Sequence, residues 1–316
     1  MFKRKVSKRI FFVLIIAFLG VNIIAFFHAY KFTHFAEAGT VKTKSAEKLS
    51  ATGKIKTLLF GVSNPRPSNL VLPNRTFSTT SIPCNIKTEA WLLAHSAKEK
   101  ARGWVIICHG YSGSKSSMLD KAYQFDSLGY NTLLLDFMGS GGSEGNVCTI
   151  GFKEAEQVRA AYNYLRSQTS LPIYLFGTSM GASAVMRAVA ELSVQPQGLI
   201  VECPFSTMYN TVCARFTQMN APSFPMAGLL VFWGGVQNGY WAFDHKPVDY
   251  AKKIACSTLL MYGRQDKTIT EEESKSIFKN LSGKKYLQCF SNAGHENYLR
   301  TNRKEWISAV NNFLLN

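Results

Sequence analysis

The apolar and polar positions divide the chain into a long apolar segment near the N-terminus, a polar stretch after it, and then a repeating pattern. In the repeating part short apolar runs alternate with longer amphipathic ones, the signature of parallel strands joined by crossover helices. The runs WVIIC (104–108), NTLLLDF (131–137), IYLFG (173–177), GLIVEC (198–203), STLLMYG (257–263) and KYLQCF (285–290) predict strands. Helices are predicted over 116–128, 151–168 and 181–192, from a Thr270/Glu273 capping box to Asn280, and over 300–315. Within 151–168, Ala155, Val158, Ala161, Tyr162 and Leu165 fall on one helical face. The connection from Pro204 to His245 is too long to lack structure of its own, so a helical cap is expected there. The fold class expected is therefore α/β: a mostly parallel central sheet flanked by helices, with a cap inserted over 204–245.

The N-terminal apolar segment, Ile10 to Phe27, carries no charge and has Asn22 as its one polar break. Its length is near the lower limit for a membrane-spanning helix. Lys3, Arg4, Lys5, Lys8 and Arg9 precede it, which predicts a cytoplasmic N-terminus and a catalytic domain on the exported, periplasmic or extracellular, side. Lys31, Lys42 and Lys44 soften that asymmetry from the far side. A cleaved signal peptide, with Ala36-Glu37-Ala38 as its cleavage site, is the competing reading; the apolar run exceeds a usual signal-peptide core, which favours a retained anchor. Residues 1–9 are then a basic flank and 10–30 a transmembrane anchor. Residues 31–75, polar, lysine-rich and broken by Pro65, Pro67 and Pro73, are expected as a stalk or linker, and 76–316 as the folded domain.

A formal charge of +16 raises the question of nucleic acid. Much of the excess lies in the first nine residues and between Lys31 and Lys56, and no arginine-rich run interleaved with aromatics follows. Attraction of a membrane-flanking segment to anionic headgroups explains the charge more simply, so no nucleic-acid partner is expected. Seven cysteines, at 84, 108, 148, 203, 213, 256 and 289, show no C-x-x-C spacing, which argues against a zinc site or a redox pair. Cys108, Cys203 and Cys289 sit in or beside strand runs, where a thiol serves as a small hydrophobe.

The chemistry centres on Gly177-Thr178-Ser179-Met180-Gly181, between a predicted strand and a predicted helix. The pentapeptide alone is a weak signal; a serine nucleophile needs a strand before it, a helix after it and glycines that allow their close approach. A serine hydroxyl also needs a base, and the base an acid to orient it. Downstream of Ser179 stand two histidines, His245 in the cap and His295 after the last strand; His295 is the expected base. Asp266, just past the strand ending at Gly263, is the expected acid, with Glu202, Asp244 and Asp249 as rivals. The backbone N–H groups of Met180 and of Tyr111, in His109-Gly110-Tyr111-Ser112-Gly113, are the expected oxyanion donors. His109 is expected to bond within its own loop.

With these residues in place, the chain from about residue 85 to 316 resembles the α/β-hydrolase superfamily. Within it the similarity is to the branch of serine aminopeptidase-like hydrolases, lysophospholipase-like enzymes and membrane-associated acyl-protein thioesterases. HGYSGSK (109–115), DFMGSGGSEG (136–145), GTSMGA (177–182), GRQD (263–266) and GHENY (294–298) carry it. They are specific to fold and triad, not to a substrate. Met138 stands where many relatives carry arginine, which puts a family salt bridge there in doubt, and Asp136 is expected to be structural.

The cap from Met208 to Phe243 is rich in large apolar side chains and contains no aspartate or glutamate. An aminopeptidase must hold a cationic amine, and a buried ammonium without a carboxylate is costly. Unless Glu202 serves that purpose, the cap favours an ester or thioester with an apolar acyl group. The expectation is a membrane-anchored serine hydrolase of the carboxylesterase or lipase-like type, acting on a small-molecule or lipid-like ester with no metal or organic cofactor. A serine peptidase of the aminopeptidase type is the alternative enzyme. A non-catalytic, membrane-tethered binding protein is the alternative from another class.

Overall fold

A computed structural model describes residues 2–37, 39–44, 48–97 and 99–316, with side chains from residue 8 onwards. Ala38, in the candidate signal-peptide cleavage site, lies outside the described residues.

Eight strands form one sheet: β1 (Ser78–Pro83), β2 (Lys87–Leu93), β3 (Gly103–Cys108), β4 (Tyr130–Leu135), β5 (Ile173–Thr178), β6 (Gly198–Glu202), β7 (Ser257–Gly263) and β8 (Lys285–Phe290). Their order is β1-β2-β4-β3-β5-β6-β7-β8, with β1 and β2 antiparallel to their neighbours and every other pairing parallel. The helices are α1 (Phe2–Thr33), α2 (Ala51–Phe60), α3 (Leu119–Ser127), α4 (Glu154–Arg166), α5 (Met180–Glu191), α6 (Met208–Gln218), α7 (Met226–Asn238), α8 (Pro247–Tyr250), α9 (Glu271–Asn280), α10 (Tyr298–Thr301) and α11 (Arg303–Leu315). This is the α/β-hydrolase fold.

Strands buried on both faces explain the continuous apolar runs. Ile106, Leu133, Leu175 and Leu199 point into a core shared with Ala155, Val158 and Val185 of α4 and α5. Their chain neighbours Val105, Leu134, Phe176 and Ile200 point into a second core with Phe125, Trp306 and Val310 of α3 and α11. The Thr270/Glu273 capping box opens α9 as the sequence predicts. The predicted closing helix is instead two, α10 and α11, broken at Asn302, whose backbone (φ −131°, ψ 48°) is not helical.

Helices α6 and α7 lie between β6 and β7 in the chain, within the stretch expected as a cap. Helix α1 includes Lys8–Thr33, 26 residues whose most apolar 18-residue stretch has a mean hydropathy of 2.9, and is the only helix among the described residues long and apolar enough to cross a membrane. The residues after it lie along the domain rather than away from it. Phe35 joins the core, the Phe35 N–H donates to Asn146 O at 2.7 Å, the Cys148 N–H donates to Thr33 O at 2.7 Å, and Asn69 Nδ2 reaches Asp136 Oδ2 at 2.8 Å. The polar composition of 31–75 conceals this, because many of the ties are hydrogen bonds.

Candidate active site

Adjacent strands bring the signature segments together at the carboxyl edge of the sheet. Cys108 at the end of β3 pairs in register with Gly177 of β5, so the 109–113 loop and Ser179 emerge side by side. Gly263 at the end of β7 pairs with Phe290 of β8, which sets the loops bearing Asp266 and His295 next to each other.

Ser179 has φ 52°, a left-handed conformation rarely adopted by residues with a side chain. It is held by its N–H to Glu202 O at 2.8 Å and by the start of α5 immediately after it. The strained turn projects the hydroxyl away from the sheet. Gly181 makes the turn possible, because a Cβ there would overlap the carbonyl oxygens of Cys108 and His109.

His295 Nε2 lies 3.1 Å from Ser179 Oγ, and His295 Nδ1 lies 2.7 Å from Asp266 Oδ2. Asp266 Oδ1 accepts the N–H groups of Thr268 at 2.7 Å and Ile269 at 2.9 Å, which orients the carboxylate. Desolvation works to lower the His295 pKa, and Cys203 and the Asp266 carboxylate more than offset it, leaving the imidazole well above its ordinary range. Among the described residues, neither the Met180 nor the Tyr111 N–H has a hydrogen-bond partner. Gly110, beside Tyr111, neighbours Ser179: a Cβ on it would lie in ordinary van der Waals contact, 3.7 Å from Ser179 Cβ.

The rivals lie elsewhere or are otherwise engaged. His245 is buried between Tyr250 OH and Ile150 O, each at 3.0 Å, and burial pushes its pKa down to about 4. Asp244 pairs with Lys246, and Asp249 with Lys252. Glu202, fully buried, accepts from Lys121 Nζ at 2.5 Å, Trp306 Nε1 at 2.6 Å and Thr178 Oγ1 at 3.0 Å. His109 bonds within its loop, Nδ1 to Gly110 O at 2.8 Å, and its Nε2 accepts the Phe137 N–H at 3.1 Å. Asp136 pairs with buried Lys115, which also reaches Glu89 at 2.6 Å, so a salt bridge forms in this region without an arginine at 138.

Cys203, expected as a strand hydrophobe, stands one residue past β6 with φ 40°, beside Asp266 and His295. These three are the one metal-competent cluster among the described residues. The 2.7 Å between His295 Nδ1 and Asp266 Oδ2 is a hydrogen-bond distance; two donors on one tetrahedral ion, each about 2 Å from it, would stand farther apart.

Ser179 and His295 open into a cavity of about 420 Å³ whose wall includes Gly110, Tyr111, Met180, Phe205, Arg215 and Gln218. A second, largely apolar cavity of about 510 Å³ shares Tyr111, Ile150, Arg215 and Gln218 with it and is walled mainly by α1, α2, α6 and α7 and by segments beside them, Lys44 included. Tyr111 ties the two together: its hydroxyl donates to Phe32 O of α1 at 2.7 Å and accepts from Asn64 Nδ2 at 2.9 Å. Arg215 lies over the Phe32 ring at 4.3 Å and faces the Tyr111 ring at 5.6 Å, and its Nε has no hydrogen-bond partner. Nothing in the local sequence marks Arg215, since its position between the two cavities comes from long-range packing.

Comparison with known proteins bears on the fold and the family resemblance. Residues 99–239 match the family model described as serine aminopeptidase, S33. Protein YqkD of Bacillus subtilis is 27% identical over 226 residues, which are 70% of this chain and 74% of that protein. Lysophosphatidylserine lipase ABHD12 of Gallus gallus is 22% identical over 189 residues, 55% of this chain but only 46% of that relative's length. Among solved structures, the Pyrococcus furiosus esterase Pf2001 superposes with a TM-score of 0.62 at 21% identity, covering 78% of this chain and 98% of the esterase. Est1E of Butyrivibrio proteoclasticus, solved with ferulic acid, gives 0.59 at 21% identity, covering 75% and 98%. At these identities the structural likeness establishes the fold. The chain has the α/β-hydrolase fold and is similar to hydrolases of the esterase and lipase-like kind.

Proposed function

We propose that the protein is a membrane-anchored serine hydrolase that cleaves a carboxylic ester or thioester bearing an apolar acyl group. The observation that carries this reading is the continuous chain Ser179 Oγ, His295, Asp266 at the floor of a cavity, with distances of 3.1 and 2.7 Å. In the mechanism, His295 Nε2 takes the Ser179 proton as Oγ adds to the substrate carbonyl, and Asp266 stabilises the resulting imidazolium. The free N–H groups of Met180 and Tyr111 receive the oxyanion. His295 then returns the proton to the leaving alcohol or thiol, and a water activated by the same imidazole releases the acid.

Two features favour an ester over an N-terminal peptide. Glu202, the acid left open for holding an amine, is already bonded to Lys121, Trp306 and Thr178. Arg215 also places a positive charge in the wall of the cavity, where a substrate ammonium would be repelled. Glu296 stands at the cavity wall too, with its carboxylate accepting the Gly294 N–H at 3.1 Å. Helix α1 supplies the anchor, its apolar span matching the thickness of a bilayer core.

The test is to compare p-nitrophenyl esters of increasing acyl length with aminoacyl p-nitroanilides. Esters are expected to be cleaved faster, with a preference for longer chains; faster cleavage of the anilides would overturn the ester assignment.

The histidine sets the pH dependence. Protonated His295 cannot take the serine proton, so the rate is expected to fall as pH drops through its pKa, which lies above 6.5. Asp266→Asn removes the carboxylate that favours the imidazolium. It is expected to lower kcat by about 10⁴-fold and to move the acid limb to lower pH. A pH–rate profile of both proteins checks this, and an unmoved limb would contradict the pairing.

A further inference from the structure

Helix α7 meets α1 inside the segment of α1 that is apolar enough to span a membrane. Asn22, the polar break in that run, accepts the Trp233 indole N–H on Oδ1 at 3.2 Å and donates from Nδ2 to Phe18 O at 2.9 Å. The Phe26 and Trp233 rings meet edge to face at 5.3 Å, and Gln237 Nε2 donates to Phe26 O at 2.8 Å. A polar side chain in an apolar span needs partners, and for Asn22 one of them comes from α7.

Asn22 lies five residues before Phe27, where the apolar run ends. At 1.5 Å per residue that is about 7.5 Å along the helix. Whatever touches Asn22 and Phe26 therefore lies below the level at which α1 leaves the hydrocarbon, at the depth typical of interfacial helices. The composition of α7 suits that position: MAGLLVFWGGVQN has no charged residue. Phe232 (36%) and Val236 (51%) of α7 are exposed, with Trp241 (54%) just beyond, as are many apolar side chains of α1. Helix α2, tied to α1 by Lys31 Nζ donating to Phe60 O at 2.8 Å, carries Lys54 and Lys56, which suit the headgroup layer.

We propose that α7 is embedded beside α1 in the exported leaflet of the bilayer, and that the cavity between them receives the apolar chain of the substrate laterally from that leaflet. The proposal rests on the reading of α1 as an anchor. Because the cavity walled by α1, α2, α6 and α7 shares Tyr111 and Arg215 with the cavity at Ser179, a chain held in it leads toward the serine.

The experiment uses the full-length protein in phosphatidylcholine vesicles containing lipid brominated in the upper part of the acyl chain. Flotation with the vesicles in high salt reports the anchor. Quenching of tryptophan fluorescence that is lost in the Trp233→Phe/Trp241→Phe protein reports the depth of α7. Flotation with that quenching supports the proposal, and flotation without it overturns it. A protein that does not float overturns the anchor reading itself, and the proposal with it. A second variant, Phe232→Asp/Val236→Asp, touches neither cavity. It is expected to cleave a long-chain ester embedded in vesicles about tenfold more slowly, with its melting temperature in detergent and its rate on a soluble short-chain ester unchanged. Equal rates on the embedded ester would also overturn the proposal.

Discussion

Replacing Ser179 by alanine is expected to reduce ester hydrolysis by on the order of 10⁵-fold or more, while the melting temperature stays within about 2 °C. The size of the effect follows from the role: without Oγ there is no acyl-enzyme, and the remaining donors can only assist direct attack by water. The stability expectation follows from structure. The Ser179 N–H to Glu202 O bond and the approach of Gly181 to the end of β3 are backbone features that alanine preserves. Initial rates on a p-nitrophenyl ester, with thermal melting of both proteins, check it. Residual activity above about one part in a hundred, in protein free of wild type, would move the nucleophile elsewhere.

The largest effect on stability is expected at Lys121. Its ammonium, 1% exposed, meets the carboxylate of Glu202, which is 0% exposed, at 2.5 Å and lies 4.6 Å from the centre of the Trp306 ring. Lys121→Met leaves the carboxylate buried with only the Trp306 and Thr178 donors. Removing one partner of such a pair costs about 3–5 kcal/mol, which for a domain of this size is a fall of about 10 °C in melting temperature. The cost is the stranded charge and not the lost attraction, so Lys121→Met/Glu202→Gln is expected to recover most of the loss. Thermal melts of the single and double variants test this directly, and a single variant that melts within about 2 °C of the wild type would refute it. Because the Glu202 backbone carbonyl holds the Ser179 N–H, the pair also supports the turn beneath the serine.

Much of the site is legible in the amino-acid sequence, because the fold places its chemistry at strand ends and those ends are marked by local patterns. GTSMGA, GRQD and GHENY each follow an apolar run, so position along the chain is enough to name Ser179, Asp266 and His295, and the structure brings those three side chains together. What stays hidden depends on long-range pairing. Strands β1 and β2 are antiparallel, at one edge of the sheet; β1 is mostly exposed and lacks an apolar run, and β2 has only the short run Ala90–Leu93 after a polar start. Apart from Phe35, many ties from the described part of residues 34–75 to the domain run through backbone groups and through Asn64, Arg66, Asn69 and Arg75, which leave no hydrophobic pattern. Arg215 and Cys203 gain their meaning only from neighbours far away in the chain.

The central claim, that Ser179 is the nucleophile of an ester-cleaving enzyme, is tested most directly by incubating the full-length protein with a fluorophosphonate and mapping the adduct by peptide mass spectrometry. The expected result is one phosphonyl adduct, on the peptide containing Ser179, formed in proportion to the loss of esterase activity and absent from Ser179→Ala. An adduct at another residue, or full esterase activity in folded protein that takes up no label, would contradict the assignment.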